Sequence, residues 1–153
     1  MSEPQHWHLA QLNIAHLKAP LDSPVLSDFV ANLDLINALA EASPGFVWRL
    51  KDDGGNATAI RPFGDDYIVN LSVWTDVESL RTFVYESAHI EILKRKKEWF
   101  QRMQRAYSVL WWIPAGTTPD ATEAKARLGL LDQHGPTNEA FTFAKTFSVP
   151  TTV

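Results

Sequence analysis

Hydrophobic residues recur at two spacings along this chain, and the changes between them divide it into strands and helices. Residues 8–15, 46–50, 67–74 and 109–113 alternate between two sides or are continuously apolar, which predicts four β-strands. Between them, apolar side chains return every third or fourth position, as on one face of a helix. The order strand, helix, strand, strand, helix, strand predicts an α+β domain with a ferredoxin-like antiparallel sheet and its helices on one face.

Residue types that begin and end helices agree with this division. Ser23 followed by Pro24 predicts the start of the first helix, and the Ser-Pro-Gly of residues 43–45 predicts its end. Thr75 and Glu78 have the spacing of a capping box for the second helix. A further helix is expected from Ser87, with an apolar stripe made of His89, Ile92, Leu93, Lys96, Phe100, Met103 and Tyr107.

The chain continues beyond this core. Thr118-Pro119 begins a third predicted helix, and Gly135-Pro136 ends it. Residues 141–147 then carry phenylalanine at alternate positions, which suits either an extra edge strand or an arm that reaches a partner. No linker interrupts the pattern, so we expect one domain over residues 1–153, with a core at 7–116 and an extension at 117–153.

The predicted strands define two sheet faces, because successive residues of a strand point to opposite sides. One set, the apolar face, includes Ala10, Leu12, Ile14, Val69, Leu71, Val73, Val109, Trp111 and Ile113. The other set, the mixed face, includes Leu9, Gln11, Asn13, Asn70, Ser72, Trp74, Leu110 and Trp112. We expect the helices on the apolar face and a second copy of the chain on the mixed face. Two such sheets would close a barrel, whose interior is either a ligand pocket or a plain hydrogen-bonded interface.

Composition narrows the classes of function. The 153 residues are 45% hydrophobic and carry a net charge of -4, so no overall basic field attracts nucleic acid. The chain has no cysteine, which excludes disulfides, thiolate metal sites and cysteine nucleophiles. The first residues lack a signal-peptide pattern, and no apolar run approaches the length of about 20 residues that a membrane span needs. We expect a cytoplasmic protein with no membrane contact.

A group of histidines and a basic stretch could suggest binding sites, but we expect neither to be one. His6, His8 and His16 have a spacing that suits a metal, but no acidic residue stands beside them, and no metal site is expected. The basic stretch 94–97 is followed by Arg102 and Arg105, and Glu91 and Glu98 are spaced to pair with these cations. A solvated helix face explains this pattern better than a nucleic-acid site.

Several stretches resemble a known family. They are Leu9-Ala-Gln-Leu-Asn13, the run from Trp74 to His89, Trp99-Phe100, Leu110-Trp-Trp-Ile-Pro-Ala-Gly116, His134-Gly-Pro136 and Phe141-Thr-Phe143. The order of elements and the run from Trp74 to His89 resemble the dimeric α/β-barrel superfamily, which includes antibiotic-biosynthesis and haem-degrading monooxygenases. Over its whole length the chain resembles an uncharacterised bacterial domain-of-unknown-function family within that group.

The resemblance implies candidate site residues. Asn13 matches the first-strand asparagine of the haem-degrading relatives, but His89 and Phe83 do not match their histidine and tryptophan. The quinone-forming oxygenases are similar in having asparagine, tryptophan and tyrosine inside the barrel, for which Asn13 or Asn70, Trp74 and Tyr85 are the counterparts. That reaction needs no metal or cofactor, because an electron-rich phenolate itself reacts with oxygen.

We therefore expect a cofactor-independent monooxygenase or related proton-transfer enzyme that acts on a small aromatic or polyketide-like molecule. His89 would abstract a proton, since imidazole titrates near neutral pH, although a core histidine bonded to a backbone carbonyl explains its position equally simply. Asn13 is the second catalytic candidate. The expected substrate contacts are Gln11, Arg49, Asn70, Ser72, Trp74, Tyr85 and Trp112. The alternatives are a non-catalytic binding or sensing protein for a hydrophobic molecule, and a filled barrel with a structural role.

Overall fold

The computed structural model of the protein describes residues 6–51, 63–64, 66–86, 94–102 and 106–150. In chain order these residues form β1 (Trp7–Leu17), a 3-10 turn (Pro24–Leu26), α1 (Ser27–Ala42), β2 (Phe46–Arg49), β3 (Tyr67–Trp74), α2 (Val77–Glu86), α3 (Lys96–Trp99), β4 (Phe100–Gln101), β5 (Ser108–Pro114) and α4 (Ala121–His134). Within these ranges, no helix is both long and apolar enough to cross a lipid bilayer.

The strands form one antiparallel sheet with β1 at its centre. β3 pairs along one side of β1, with Gln11 opposite Ser72 and Asn13 opposite Asn70. β5 and the short β4 pair along the other side of β1, and β2 pairs with the outer side of β3. The order β2-β3-β1-β5 is that of a ferredoxin-like sheet, so the predicted α+β class and its four main strands are confirmed.

The assignment of helices to sheet faces was wrong. α1 and α2 cover the mixed face, where Ala40, Leu80 and Phe83 pack with Leu9 and Trp74. The apolar face is covered by α4 of the same chain, whose Ala124, Leu128 and Leu131 join its buried cluster. Helices therefore lie on both sides of the sheet. The alternation of residues defines two faces, but both carry enough apolar surface to receive a helix, and the few polar groups of the mixed face bond to one another.

Two details of the predicted helices also differ. Asp76, not Thr75, caps α2, because its carboxylate accepts the backbone N–H of Ser79 at 2.7 Å. The stripe expected to continue through Phe100 ends at Trp99, and Phe100 instead pairs with Leu17 in the sheet. Burial of Trp99 beside Leu17 in a third apolar cluster explains this, since tertiary packing overrides the helical spacing. The predicted helical residues 87–93 and 103–105 lie outside the described ranges.

The C-terminal segment (residues 140–147) lies along the outer edge of β5. Phe141 exchanges two backbone hydrogen bonds of 2.8 Å with Leu110, which fixes the segment at its start. The Trp112 indole N–H donates to the carbonyl oxygen of Phe147 at 2.9 Å, which fixes its end. The segment lies at the edge of the sheet, but the predicted extra edge strand does not form, since its pairing with β5 is limited to one bridge.

Candidate functional site

A cavity of about 800 Å³ lies over the mixed face of the sheet. This volume falls within the range of roughly 300–1,000 Å³ that is typical of small-molecule sites. The sheet contributes one side, α1 and α2 contribute the opposite side, and the C-terminal segment and the end of α4 (Leu131, with Gly135 and Pro136 after it) border it. The residues used below are Gln11, Asn13, Arg49, Asn70, Ser72, Trp74, Phe83, Tyr85, Ser108 and Phe143. The sequence placed this void between two copies of the chain, and that prediction was wrong, because the helices of one chain cover the mixed face.

Four side chains of β1 and β3 form a hydrogen-bonded row along the sheet side of the cavity. The Gln11 Nε2 group donates to the Asn70 Oδ1 atom at 2.7 Å and to the Ser72 Oγ atom at 2.7 Å. The Trp74 Nε1–H group donates to the same Ser72 oxygen at 2.9 Å. Gln11 and Ser72 are 8% and 5% exposed, so both are polar groups withdrawn from bulk water. The antiparallel register creates the row, since it places Gln11 directly opposite Ser72.

Aromatic rings surround this row. Phe83 of α2 stacks on Trp74 with ring centres 5.3 Å apart and an interplanar angle of 27°. Phe46 of β2 meets Trp74 edge-on at 5.4 Å. Tyr85 of α2 contacts Phe143 of the C-terminal segment at 6.0 Å. These contacts hold flat apolar surfaces in fixed orientations, which suits a planar ligand.

Among the described lining residues, Arg49 is the single charged side chain. Its guanidinium bonds to Glu41 of α1, with Nε and Nη2 each 3.0 Å from the Oε1 atom. The Arg49 side chain is 14% exposed and the Glu41 side chain is 46% exposed, so the pair lies at the margin of the cavity, with its carboxylate in contact with water. The charge of the guanidinium is therefore balanced by a carboxylate of the same chain, and the described part of the cavity is close to neutral.

The predicted site residues are distributed as follows. Gln11, Asn13, Arg49, Asn70, Ser72, Trp74 and Tyr85 all lie on the cavity. Trp112 does not, because its ring packs near Phe141 and its N–H bonds to Phe147. Its residue parity placed Trp112 on the mixed face, but the C-terminal segment occupies that end of the sheet. His89 lies outside the described residues.

Sequence reasoning missed the part of the lining that comes from α1 and from the C-terminal segment. Phe29, Asn32, Leu33 and Asn37 of α1 all face the cavity. A signal was present, because two amides interrupt a helix face that is otherwise apolar, as Asn13 and Asn70 do in the strands. Phe143 had no comparable signal, since alternation alone does not tell where a C-terminal segment packs.

The histidines proposed and rejected as metal ligands lie away from the cavity. His8 and His16 belong to the other side of β1, where His16 stacks on Tyr67 with ring centres 4.6 Å apart. No group of three His, Cys, Asp or Glu side chains in the described ranges is arranged to hold a metal ion.

The basic stretch also lies outside the cavity lining and is paired with carboxylates. Arg95 donates to Asp28 of α1 and to Glu98, both at 2.7 Å, and its guanidinium lies 4.8 Å from the Trp99 ring centre. The hydrogen bond from Arg95 lowers the pKa of Glu98, and the same bond is the main cause that raises the pKa of Arg95. The predicted pairing of Glu98 with this stretch is confirmed, and Glu91 lies outside the described residues.

Fold and site together define an α+β protein with an antiparallel sheet and a mostly apolar cavity between one sheet face and two helices. Residues 8–153 match the family described as Domain of unknown function (DUF3291), and the chain belongs to that family. The expectation of an uncharacterised family of this kind is thereby confirmed. No protein of curated function matches the chain significantly.

Solved structures of similar fold include three bacterial proteins. SnoaB, a cofactor-independent oxygenase from Streptomyces nogalater, is 19% identical and covers 74% of this chain and 98% of its own, with a TM-score of 0.45. NE2512, a protein of unknown function from Nitrosomonas europaea, is 16% identical over 76% of this chain and 99% of its own, with a TM-score of 0.46. A putative antibiotic biosynthesis monooxygenase from Nitrosomonas europaea is 11% identical over 76% and 95%, with a TM-score of 0.44.

Proposed function

We propose that the protein binds a small, mostly apolar aromatic molecule in the cavity over the mixed face. The observation that carries this proposal is the row Gln11, Asn70, Ser72 and Trp74, which places buried hydrogen-bonding groups beside stacked aromatic rings and a void of about 800 Å³. A few fixed polar groups in an apolar concavity are the usual composition of a ligand site. A void of this size argues against the third expectation, a filled interior.

The reaction that suits such a site is cofactor-independent oxygenation of an electron-rich phenol. The substrate loses a proton, its carbanion transfers electrons to molecular oxygen and bonds to it, and the protonated adduct loses water to leave a quinone. One oxygen atom thus enters the product and the other leaves as water, and no metal or flavin takes part. Asn13 supports this role, since its side-chain amide makes no hydrogen bond to a described residue and lies on the cavity. Its N–H group is therefore available to stabilise a developing oxyanion. His89 remains the proposed base on the sequence argument alone.

The runner-up is a binding or sensing protein without catalysis, and one observation favours it. The described lining residues include no Asp, Glu, Lys or His, so this part of the cavity offers no side chain that accepts a proton readily at neutral pH. Binding of a neutral apolar molecule requires none.

The two functions differ in oxygen uptake. Dithranol, an electron-rich three-ring phenol, is mixed with the protein, while tryptophan fluorescence reports binding and an oxygen electrode reports reaction. We expect the wild type to bind dithranol and to raise the rate of oxygen uptake above that in buffer. Asn13→Ala and His89→Ala should each lower this rate by a larger factor than they lower the affinity for dithranol. Trp112→Phe is the control, because Trp112 lies off the cavity. Binding with uptake equal to the buffer rate would favour the sensor, and absence of binding would refute both.

A homodimer and a cytoplasmic location stay predictions of the sequence. The dimeric barrel was expected because one sheet face needed a cover, yet α4 and the pair α1 and α2 now cover both faces of one chain. A second copy would have to use other surfaces, and the exposed Val30 and Leu35 of α1 are the apolar side chains available on its outer side. Sedimentation equilibrium, compared between the wild type and Leu35→Glu, tests this: we expect a dimer that the charge weakens, and a monomeric wild type would refute it.

A further inference from the structure

The Ser72 hydroxyl has an unused hydrogen-bond donor. A hydroxyl group accepts two hydrogen bonds and donates one. Both acceptor positions of Ser72 Oγ are filled, by Gln11 Nε2 at 2.7 Å and by Trp74 Nε1 at 2.9 Å. No acceptor for its proton lies among the described residues. Ser72 therefore presents a donor, and only a donor, to a bound molecule.

The Gln11 side-chain amide has an unused hydrogen-bond acceptor. Its two N–H bonds are used by Asn70 Oδ1 and Ser72 Oγ, with the Asn70 backbone oxygen also 3.3 Å from Nε2. The Asn70 backbone oxygen identifies this amide atom as the nitrogen, because a backbone carbonyl can only accept and a Gln11 oxygen at that place would face it without a proton. Its Oε1 atom makes no hydrogen bond to a described residue. Gln11 therefore presents an acceptor.

This free carbonyl oxygen opens on the cavity. Among the described residues, the side-chain N and O atoms that are sealed from water and lack a partner are His8 Nδ1 and Trp111 Nε1. The Gln11 Oε1 atom is not one of them, so it contacts accessible space, although Gln11 as a whole is 92% buried (8% exposed). Gln11 lines the cavity, and that is where the accessible space lies.

We propose that Ser72 and Gln11 act as a donor–acceptor pair that selects an uncharged ligand with an acceptor and a donor side by side. The free groups lie at most about 5 Å apart, since the O and N atoms of one amide are about 2.2 Å apart and Gln11 Nε2 is 2.7 Å from Ser72 Oγ. A cis-lactam, or an enol next to a carbonyl, has this arrangement. The inference rests on the proposed function, because it places the ligand in the same cavity.

A ligand that enters as an anion, with its charge against Ser72 and Gln11, does not fit the pair. The proposed reaction starts from the neutral phenol, and its oxyanion would form at Asn13 instead. A carboxylate or phenolate has acceptors only, so it would place negative charge against the Gln11 carbonyl oxygen and gain one donor from Ser72. Removing an ion from water into this aromatic surrounding is costly without full pairing. The one cation of the described lining, Arg49, already bonds to Glu41.

Trp74 is a positioning residue in this scheme. Its N–H fills one acceptor position of Ser72 and so keeps the hydroxyl a pure donor. In Trp74→Phe that acceptor position is free, and the hydroxyl can turn and accept. The variant is therefore expected to lose discrimination between donor and acceptor ligands while it keeps apolar binding.

The test uses three planar three-ring probes and tryptophan fluorescence or calorimetry. Phenanthridinone is a neutral cis-lactam, N-methylphenanthridinone lacks the donor, and phenanthrene lacks both groups. We expect the wild type to bind the lactam about tenfold more tightly than its N-methyl form, as one lost hydrogen bond predicts. Gln11→Met removes the acceptor and should reduce this ratio to near one. Ser72→Ala removes the donor, so it should weaken both lactams relative to phenanthrene and leave the ratio unchanged. Trp74→Phe should keep phenanthrene binding and lower the advantage of both lactams over phenanthrene. Ser108 is a cavity serine whose hydroxyl makes no hydrogen bond to a described residue, so Ser108→Ala is the matched control and should keep the wild-type ratio.

The outcomes separate this inference from the proposed function. Binding of phenanthrene and both lactams with equal affinity leaves the cavity as a ligand site and overturns the donor–acceptor pair. Failure of all three probes to bind overturns the proposed function and this inference together. If Gln11→Met does not fold, the affinity of both lactams relative to phenanthrene in Ser72→Ala decides: an unchanged relative affinity overturns the pair.

Discussion

The indole N–H of Trp74 donates to the hydroxyl of Ser72, two residues earlier on the same strand, at 2.9 Å. Residues two apart on a strand share a face, so this bond needs no turn or loop to form. It joins the aromatic surround of the cavity to its polar row, because the same hydroxyl also accepts from Gln11 across the sheet.

Ser72→Ala therefore removes the acceptor of two buried donors. We expect the free energy of unfolding to fall by about 1–3 kcal/mol, the usual cost of leaving buried polar groups without partners. Urea denaturation followed by circular dichroism measures it. Ser108→Ala, on the same cavity, should change stability by less than about 0.5 kcal/mol. Equal stability of the two variants would mean that the hydroxyl of Ser72 does not satisfy the two donors.

Phe141 and Phe143 belong to the same segment but have different predicted roles. Phe141 is 0% exposed and packs on the core, so Phe141→Ala should cost about 3–5 kcal/mol in unfolding free energy. Phe143 borders the cavity and contacts Tyr85 and Arg81, so Phe143→Ala should change stability much less. Instead it should speed the release of a bound probe by about tenfold, since residence time responds most to lost contacts. Urea unfolding and stopped-flow fluorescence measure the two effects, and an unchanged release rate would contradict the border position.

Gly45 joins α1 to β2 in a conformation that a side chain strains. Its φ of 84° lies in the left-handed region, and a Cβ atom there would collide with the Ser79 side chain. Gly45→Ala should lower the unfolding free energy by more than about 2 kcal/mol, the sum of the backbone cost and the clash. Gly116 has a φ of 91° and open space around it, so Gly116→Ala isolates the backbone cost of about 1 kcal/mol. Thermal or urea unfolding compares them, and equal losses would exclude the clash.

The pair of Arg95 and Glu98 predicts a pH dependence. The hydrogen bond from Arg95 lowers the pKa of Glu98 from its ordinary value of 4.5. A carboxyl group with a depressed folded-state pKa contributes stability that is present above its unfolded value and is lost as the pH falls through the folded value. The melting temperature of the wild type should thus exceed that of Glu98→Gln at pH 7, and the difference should vanish in acid. Both groups are exposed, so added salt should shrink it too. A difference that grows below pH 4.5 would have the wrong sign.

Much of the architecture could be read from local pattern. Tyr67–Trp74 was predicted to the residue, and the predicted ends of α4 at Gly135 and of α1 at Ser43 agree with the structure. These elements have strong caps or strict alternation, which act within a few residues. Prediction failed at Phe100, where the helical spacing continued but pairing with Leu17 prevailed.

The sequence predicted which polar residues form the candidate site, but it did not predict which elements enclose them. Polar residues among apolar ones in β1 and β3 pointed to Gln11, Asn70 and Ser72, and these do meet on one cavity. Which helix covers that face, and whether Trp112 is left on it, depends on contacts between residues far apart in the chain. No local spacing contains that information.

The sequence by itself determined the strands, the main helices and the two sheet faces, because alternation and capping are properties of neighbouring residues. Tertiary structure alone decided that α4 covers the apolar face and that α1 and α2 close over the mixed one. Both faces offer apolar surface, so the choice depends on which arrangement buries more of it at once. Tertiary structure also decided which hydrogen-bonding groups of Ser72 and Gln11 stay unused, since their partners are brought together by the antiparallel register.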